Sequence, residues 1–293
     1  ILMSLLENVI NQMLFPRAVR RLFMHNSRFR RLSTSHTRQA QAAAALSLEY
    51  KNDVAIIRME NRNNNQMDSV FLREFHSQLD SVERNHSCRG LVTVGEGKFY
   101  SNGLDLQWMA TISTQEVLDF MAEFEKLLLR VLILPVPTLA VINGHAFAGG
   151  AVLAFAHDLR TMNSEKGWLC LNEVLLDKVF SAFLKEYLRM KIGDGRNLSE
   201  ALILAHRYTA AEAVENRLVY SIHPRLSLLD HSLQVLESFI GSSGFPHQGL
   251  LNMKKDIYEL PLRFYETESS ERFPHFAVQF MTEAQRNGLK DIK

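Results

Sequence analysis

The sequence predicts an α/β fold: a core of parallel strands joined through helices, followed by a region built of helices. Three observations carry this. Between Ser47 and Met162, apolar runs of strand length alternate with amphipathic runs of helix length, the pattern of parallel crossover units. The buried-strand run Thr138–Ile142 is broken by Asn143-Gly144. A few small residues later Gly149-Gly150 opens an apolar helix, so strand, glycine-rich turn and helix start follow one another. From Ser181 onward the alternation gives way to helical spacing, with one short strand-like piece at Val219–Ile222. A chain of 293 residues can bury a full core, and 46% hydrophobic with 22% charged residues is an ordinary globular balance.

Taken in order, the first stretch is set apart by charge. Between Asn8 and Leu48 there is no acidic residue, while Arg17, Arg20, Arg21, Arg28, Arg30, Arg31 and Arg38 all fall there. An Arg-rich, Ser-containing, acid-free stretch that can form an amphipathic helix has the character of a mitochondrial presequence. Cleavage is expected after Leu32 or a little later, with the Ala-rich run before Leu46 as a linker. Residues 1–45 are therefore set outside the fold, residues 46–225 are assigned to the α/β core and 226–293 to a C-terminal helical region. The formal net charge of the whole chain is +1; without the seven arginines and one glutamate of residues 1–48 it becomes −5. A body of that sign is poorly suited to nucleic acid, whose binding rests on neutralising phosphates. No apolar run has the ~20 residues that cross a bilayer. Cys88 and Cys170 are far apart and outside any metal-ligand spacing, which suits a reducing compartment and no metal site.

Ser47–Tyr50 and Val54–Met59 flank Lys51-Asn52-Asp53 as a hairpin. Asn61–Gln66 is polar and irregular. Asp68 caps a helix whose Val70, Phe71, Phe75, Leu79 and Val82 share a face. Gly90–Val94 reads as a buried strand and Glu96–Leu106 as a loop. A long helix from Thr114 to about Leu134 ends at Pro135 and Pro137. After the glycine turn comes a strand at Leu159–Met162. The helices expected beyond it are Phe183–Ile192, Leu198–Ala205, Ala210–Glu215, Leu226–Ile240, Gln248–Tyr258 and Phe273–Asn287.

The turn at Asn143–Gly150 is the functional candidate. A helix start leaves backbone N–H groups without partners and adds the positive end of its dipole, so it can hold an oxygen that becomes an anion during a reaction. Three stretches then resemble the crotonase superfamily, the enoyl-CoA hydratase/isomerase group. They are Lys98-Phe-Tyr-Ser-Asn-Gly-Leu-Asp-Leu106, the run Ile142-Asn-Gly-His-Ala-Phe-Ala-Gly-Gly-Ala-Val-Leu-Ala-Phe-Ala-His-Asp-Leu159, and Leu171-Asn-Glu-Val174. Ala205–Ala213 is a weaker fourth match.

The resemblance implies a crotonase (ClpP/crotonase-like) core of ββα units and a substrate that is a coenzyme A thioester. No cofactor is expected beyond the coenzyme A that the substrate carries. It implies an oxyanion hole made by the N–H groups of Asn102 and Gly149, with Ser101, Asn102, Gly103, Leu104, Asp105 and Gly149 lining the substrate site. It places a catalytic carboxylate at Glu173. Hydratases of the group use a second glutamate three residues past the second oxyanion position, where this chain has Val152, a side chain that moves no proton. One carboxylate suffices to carry a proton from C2 to C4 of a 3-enoyl thioester, because the same base takes it and returns it along the dienolate. The resemblance thus points to Δ3,Δ2-enoyl-CoA isomerase, with Glu173 raised in pKa by burial. It also implies homotrimers or dimers of trimers. With the presequence it implies the mitochondrial matrix rather than the peroxisome, the chain not ending in Ser-Lys-Leu.

Other polar residues in these stretches are read as structural. Asp105 and Asp158 cap or close loops, His145 packs, and Cys170 has no activating histidine in view. Two departures from the family pattern stand out. Ala148 replaces the first glycine of a triplet, expected to be mild at a helix start. Leu175–Phe180 replaces a stretch that in many relatives contains Gly or Pro, and leaves Lys178 either paired with Glu173 or pointing outward.

Overall fold

The computed structural model of the chain describes residues 44–60, 62–270 and 275–288. All of them lie in one unit, Ala43–Lys293. The presequence reading, including its arginines and cleavage position, falls outside the described residues.

Two strands open the core. β1 (Leu46–Lys51) and β2 (Val54–Met59) pair antiparallel, from Leu46 opposite Met59 to Lys51 opposite Val54. The turn between them is Asn52 and Asp53, at φ of 51° and 59°. These are residue types that enter the left-handed region readily, and a turn with both central residues there matches strand twist. β3 (Gly90–Gly95), β5 (Thr138–Ile142), β7 (Leu159–Asn163) and β9 (Ser221–His223) then add in parallel, giving the order β1-β2-β3-β5-β7-β9.

Successive residues of the central strands face opposite sides, and both sides are covered. On one side Val54, Ile56, Val92, Val94, Leu139 and Val141 pack against Leu228, Leu233, Leu236 and Ile240 of a C-terminal helix, Leu228–Ile240. On the other lie Ala55, Ile57, Met59, Leu91, Ala140 and Ile142, with the three helices α1 (Ser69–Arg84), α2 (Thr114–Leu132) and α3 (Gly149–Ala156). α1 begins as the sequence predicts, the Asp68 carboxylate accepting the Phe71 N–H at 2.9 Å. α2 begins at a reciprocal Ser113–Glu116 capping box.

A second sheet supplies the second strand of each ββα unit that the family resemblance implies, though periodicity alone does not locate these strands. β4 (Phe99–Ser101), β6 (His145–Phe147) and β8 (Leu169–Cys170) pair in parallel in that order. Each has only two or three residues, too few to show a period, and β4 lies inside what reads as a loop.

Beyond β8 the described chain is helical apart from β9, with α4 (Ala182–Ile192), α5 (Leu228–Ile240), α6 (His247–Ile257) and α7 (Glu259–Ser269) as its longer helices. α7 was not foreseen. Pro261 suggests a break, but it sits in the first turn, where its missing N–H has no helical partner to lose. The predicted helix Leu198–Ala205 is instead Arg196–Leu198 running into a wider turn, Ser199–Ile203, closed at Ala205 with φ +50°. The predicted Phe273–Asn287 is two pieces, His275–Val278 and Glu283–Gly288. Between them Thr282 and Gln285 exchange side-chain and backbone bonds as a fresh capping box.

Candidate active site

Two glycine-bearing segments converge where β4 and β6 end. Gly103, at φ +82°, lies so close to α3 that a Cβ on it would stand 3.0 Å from the Gly149 nitrogen and 3.1 Å from the Phe147 carbonyl oxygen. At Gly150 a Cβ would lie 2.3 Å from the Ser101 carbonyl oxygen. Only glycine permits both approaches. They bring Asn102 and Gly149, separated by more than forty positions in sequence, to one place.

Gly149 opens α3, which has no side-chain cap, and its N–H has no acceptor among the described residues. The Asn102 N–H, expected as the other oxyanion donor, is instead taken up by the Asn64 carbonyl at 3.2 Å, and the N–H of this loop with no acceptor among the described residues is that of Leu104. The rest of this loop is held by the same neighbouring segment. The Ser101 hydroxyl donates to the Asn65 carbonyl at 2.7 Å and accepts the Gly103 N–H at 3.2 Å. The Asp105 N–H donates to Met67 O, and the Met67 N–H to Gly103 O. The Asp105 carboxylate takes the Trp108 N–H at 3.0 Å and Asn63 Nδ2 at 2.9 Å, so it serves the loop's structure. The Leu104 side chain comes within 3.5 Å of where a Cβ on Gly149 would be.

Ala148 requires a correction. A helix-start conformation, which alanine tolerates, is not what it adopts; its φ of 45° and ψ of −126° belong to a region that favours glycine. Its carbonyl nonetheless accepts the first intrahelical bond, from the Val152 N–H at 2.9 Å.

Glu173 begins a single helical turn, Glu173–Leu176, closed by Asp177 in the left-handed region and by a bond from the Lys178 N–H to the Glu173 carbonyl. The side chain is 7% exposed, and Oε2 is buried with no hydrogen-bond partner among the described residues. Burial pushes its carboxyl up to about 8, offset in part by its own backbone N–H. Lys178 does not pair with it. Its ammonium lies 5.8 Å over the Phe280 ring. The loop beyond, so unlike the Gly/Pro stretch of relatives, is pinned by Gln279, which accepts the Val179 N–H at 2.6 Å and donates to Val179 O at 2.8 Å.

Val152 is buried in α3, its carbonyl taking the Tyr187 hydroxyl at 2.9 Å. Tyr187, fully buried on α4, is pushed well above its ordinary pKa by burial first and by the charges of Glu173 and Glu125 after it. Glu125 is the residue the sequence reading passed over. It is 4% exposed on α2, accepts the Ser181 hydroxyl, and is pushed up to about 8 chiefly by burial, with Glu268 adding to the shift. A signal was there: Glu125 lies eight positions after Val117 and four after Met121 on the helix's apolar face. Ser181 in turn caps α4 by accepting the Leu184 N–H at 3.1 Å.

The other candidates hold structural places. His145 packs among Phe99, Phe147 and Trp168, and burial lowers its pKa. The Cys170 thiol is buried and pushed up to about 12, the wrong direction for a nucleophile. Asp158 accepts Lys254 Nζ at 2.7 Å and the Thr138 N–H at 2.8 Å. Among the described residues no group of three or more His, Cys, Asp or Glu side chains could hold a metal ion, and no helix is long and apolar enough to cross a membrane.

The described residues thus hold two backbone N–H groups without acceptors, on Gly149 and Leu104, and, on the turn that follows β8, a buried carboxyl whose Oε2 accepts no hydrogen bond, groups of the kinds that polarise a carbonyl and carry a proton. Residues 49–262 match the family described as enoyl-CoA hydratase/isomerase. Enoyl-CoA delta isomerase 1, peroxisomal, of Arabidopsis thaliana is 28% identical over 180 residues, 60% of this chain and 74% of its own. Enoyl-CoA delta isomerase 1, mitochondrial, of Mus musculus is 28% identical over 243 residues, 81% of this chain and 84% of its own. Among solved structures, human mitochondrial delta3-delta2-enoyl-CoA isomerase superposes with a TM-score of 0.75 at 22% identity, covering 84% of this chain and 96% of that one.

Proposed function

The chain belongs to the enoyl-CoA hydratase/isomerase family, the crotonase superfamily, and from that premise we propose that it is a Δ3,Δ2-enoyl-CoA isomerase acting in the oxidation of unsaturated fatty acids. One observation carries the choice within the family. The carboxyl of Glu173 is buried, its Oε2 without a hydrogen-bond partner among the described residues, while the α3 position where hydratases of the family place a second acid holds Val152.

In this reading the thioester oxygen of a 3-enoyl-CoA lies at the Gly149 N–H, with the Leu104 N–H, which has no acceptor among the described residues, as second donor. Ionised Glu173 removes a proton from C2, and the negative charge spreads over the dienolate onto the oxygen, where the two N–H groups stabilise it. Protonated Glu173 returns the proton at C4, and the double bond comes to lie between C2 and C3. One proton leaves and one returns, with no net change in oxidation state. A positioned base contributes roughly 10²–10⁴ in rate and each oxyanion donor about 10²–10³.

The test is an assay with 3-cis- and 3-trans-enoyl-CoA beside hydration of 2-enoyl-CoA. Glu173→Gln is expected to lower isomerisation by about 10²–10⁴ while acyl-CoA binding persists. Robust hydration by the native chain would overturn the argument from Val152.

The finer expectations on place and assembly belong to the same proposal. The acid-free arginine-rich segment, together with a mitochondrial relative, supports the matrix; imaging of the full chain tests it against the peroxisome of the plant relative. Exposed Val174, Leu175, Val179, Ile203 and Leu204 around the Glu173 turn support a homotrimer or dimer of trimers.

A further inference from the structure

The last described segment, made of His275–Val278, Glu283–Gly288 and the link between them, is bonded to both halves of the site. On the side of the base, the Gln279 side chain accepts the Val179 N–H at 2.6 Å and donates to the Val179 carbonyl at 2.8 Å. On the side of the oxyanion loop, Gln285 is 7% exposed and its whole amide is used. Nε2 donates to the Met109 carbonyl at 2.9 Å and the Ile112 carbonyl at 2.5 Å, while Oε1 accepts the Thr282 N–H at 2.8 Å. The Thr114 hydroxyl, at the start of α2, donates to the Gln285 carbonyl at 2.7 Å.

Met109 ends the one-turn helix Leu106–Met109. That turn starts from Asp105, which directly follows Leu104 and its free N–H. The Asp105 carboxylate accepts the Trp108 N–H, and the Asp105 carbonyl accepts the Met109 N–H at 2.9 Å. A single helical turn is unstable by itself, because it fixes several backbone angles for very few bonds. Its direction therefore depends on what grips its far end, and Gln285 is that grip. The segment is otherwise seated by buried Phe276, Ala277 and Met281, and apolar burial has no direction of its own. The two glutamines are what fix its place.

We propose that the segment is a strap and that Gln285 and Gln279 are positioning residues for the reaction. Gln285 acts on the Leu104 donor through the Leu106–Met109 turn, and Gln279 acts on Glu173 through Val179. The inference rests on the isomerase reading for what the two halves do. Its physical content is that one piece of chain, held at both ends, keeps donor and base at a fixed spacing. Release of either end frees the same spacing, so a second release adds little. Misplacement of reacting groups by about 1 Å can cost about 10²-fold in rate, so a partial release is enough to be measured.

The test uses the full chain and the variants Gln279→Ala, Gln285→Met and the two together. Methionine keeps the length of glutamine and removes both donors. With 3-cis-enoyl-CoA, each single variant is expected to lower kcat about 10-fold with KM changed less than about twofold. The double variant is expected to fall by about the same 10-fold, the sign of coupled positions. Amide hydrogen exchange in the ligand-free chain reads the strap without chemistry. The Met109 N–H reports the oxyanion side, and the Lys178 N–H, bonded to the Glu173 carbonyl at 3.0 Å, reports the base side. Each single variant is expected to quicken exchange at both amides, by about 3–10-fold.

Two merely structural contacts would each quicken exchange at their own end only, and their losses in kcat would multiply to about 100-fold. Either result, or an unchanged kcat in the single variants, overturns the strap and leaves the isomerase reading standing. If the native chain shifts no double bond, the isomerase reading falls, and exchange at the two amides still decides the strap. Should Gln285→Met fail to fold, Gln279→Ala, which removes an exposed clasp, decides it by exchange at Met109.

Discussion

A buried carboxyl oxygen that accepts no hydrogen bond is a costly thing to keep, and Glu173 Oε2 is such an atom among the described residues. Its Oε2 has no partner, and burial has pushed its pKa to about 8. A base must be ionised to accept a proton, so kcat/KM for isomerisation is expected to rise about tenfold per pH unit below pH ~8 and level off above it. A pH–rate profile checks this; a plateau already reached near pH 5 would contradict it. Ala148 is the opposite case, a small residue in a conformation that suits glycine. Ala148→Gly is expected to raise stability by about 1 kcal/mol in urea denaturation, because relief of the strain exceeds glycine's added freedom in the unfolded chain. Both residues stand in plain sight within family-like motifs. Only Glu173's role could be carried over from the motif; the strain at Ala148 is a matter of φ and ψ, which no motif states.

At the scale of elements, the turn that carries Glu173 is held from both ends. Behind it, α4 starts on Ser181, whose hydroxyl links the Leu184 N–H to the buried Glu125, while Glu268 takes the Ala182 and Phe183 N–H groups. In front, Gln279 clasps Val179 through two bonds. Ser181→Ala removes a cap and strands the Glu125 carboxyl, with an expected loss of roughly 1–3 kcal/mol by thermal denaturation. Gln279→Ala frees an exposed loop, and is expected to lower isomerase turnover while leaving the melting temperature within a few degrees of the native chain. Lengths and caps of α1 and α2 were legible, since a 3.6 period over sixteen and nineteen residues is a strong signal. The strands β4, β6 and β8 were not, because two or three residues cannot display a period, and the helix α7 was hidden by a proline that sits where prolines do no harm.

For the molecule as a whole, two buried carboxyls set the fall of stability toward neutral pH, and the buried Lys191 ammonium, lowered to about 7 by burial, acts in the opposite sense above that value. Glu125 and Glu173 both take folded pKa values of about 8, above the 4.5 of an unburied glutamate. The folded state then holds protons that the unfolded chain releases. Their contribution to stability is complete below about pH 4.5 and is lost as pH rises through 8. Denaturation midpoints are therefore expected to fall between pH 6 and pH 8, and Glu125→Gln, neutral at every pH, should flatten that decline. A midpoint that rises over the interval would contradict the burial of both groups.

What the amino-acid sequence determined by itself is the alternation of strand and helix, the placing of α1 to α3, and three motifs whose order and spacing named a family. Those properties are local or nearly so, written in periodicity, caps and glycines. Tertiary structure alone decided which atoms meet. It brought Asn64 to the Asn102 N–H, set Glu125 against Ser181, turned Lys178 toward Phe280 and left Glu173 without a partner. Each of these joins positions distant in the chain or fixes a side chain's direction, and each depends on backbone angles and burial that packing sets after the local elements have formed.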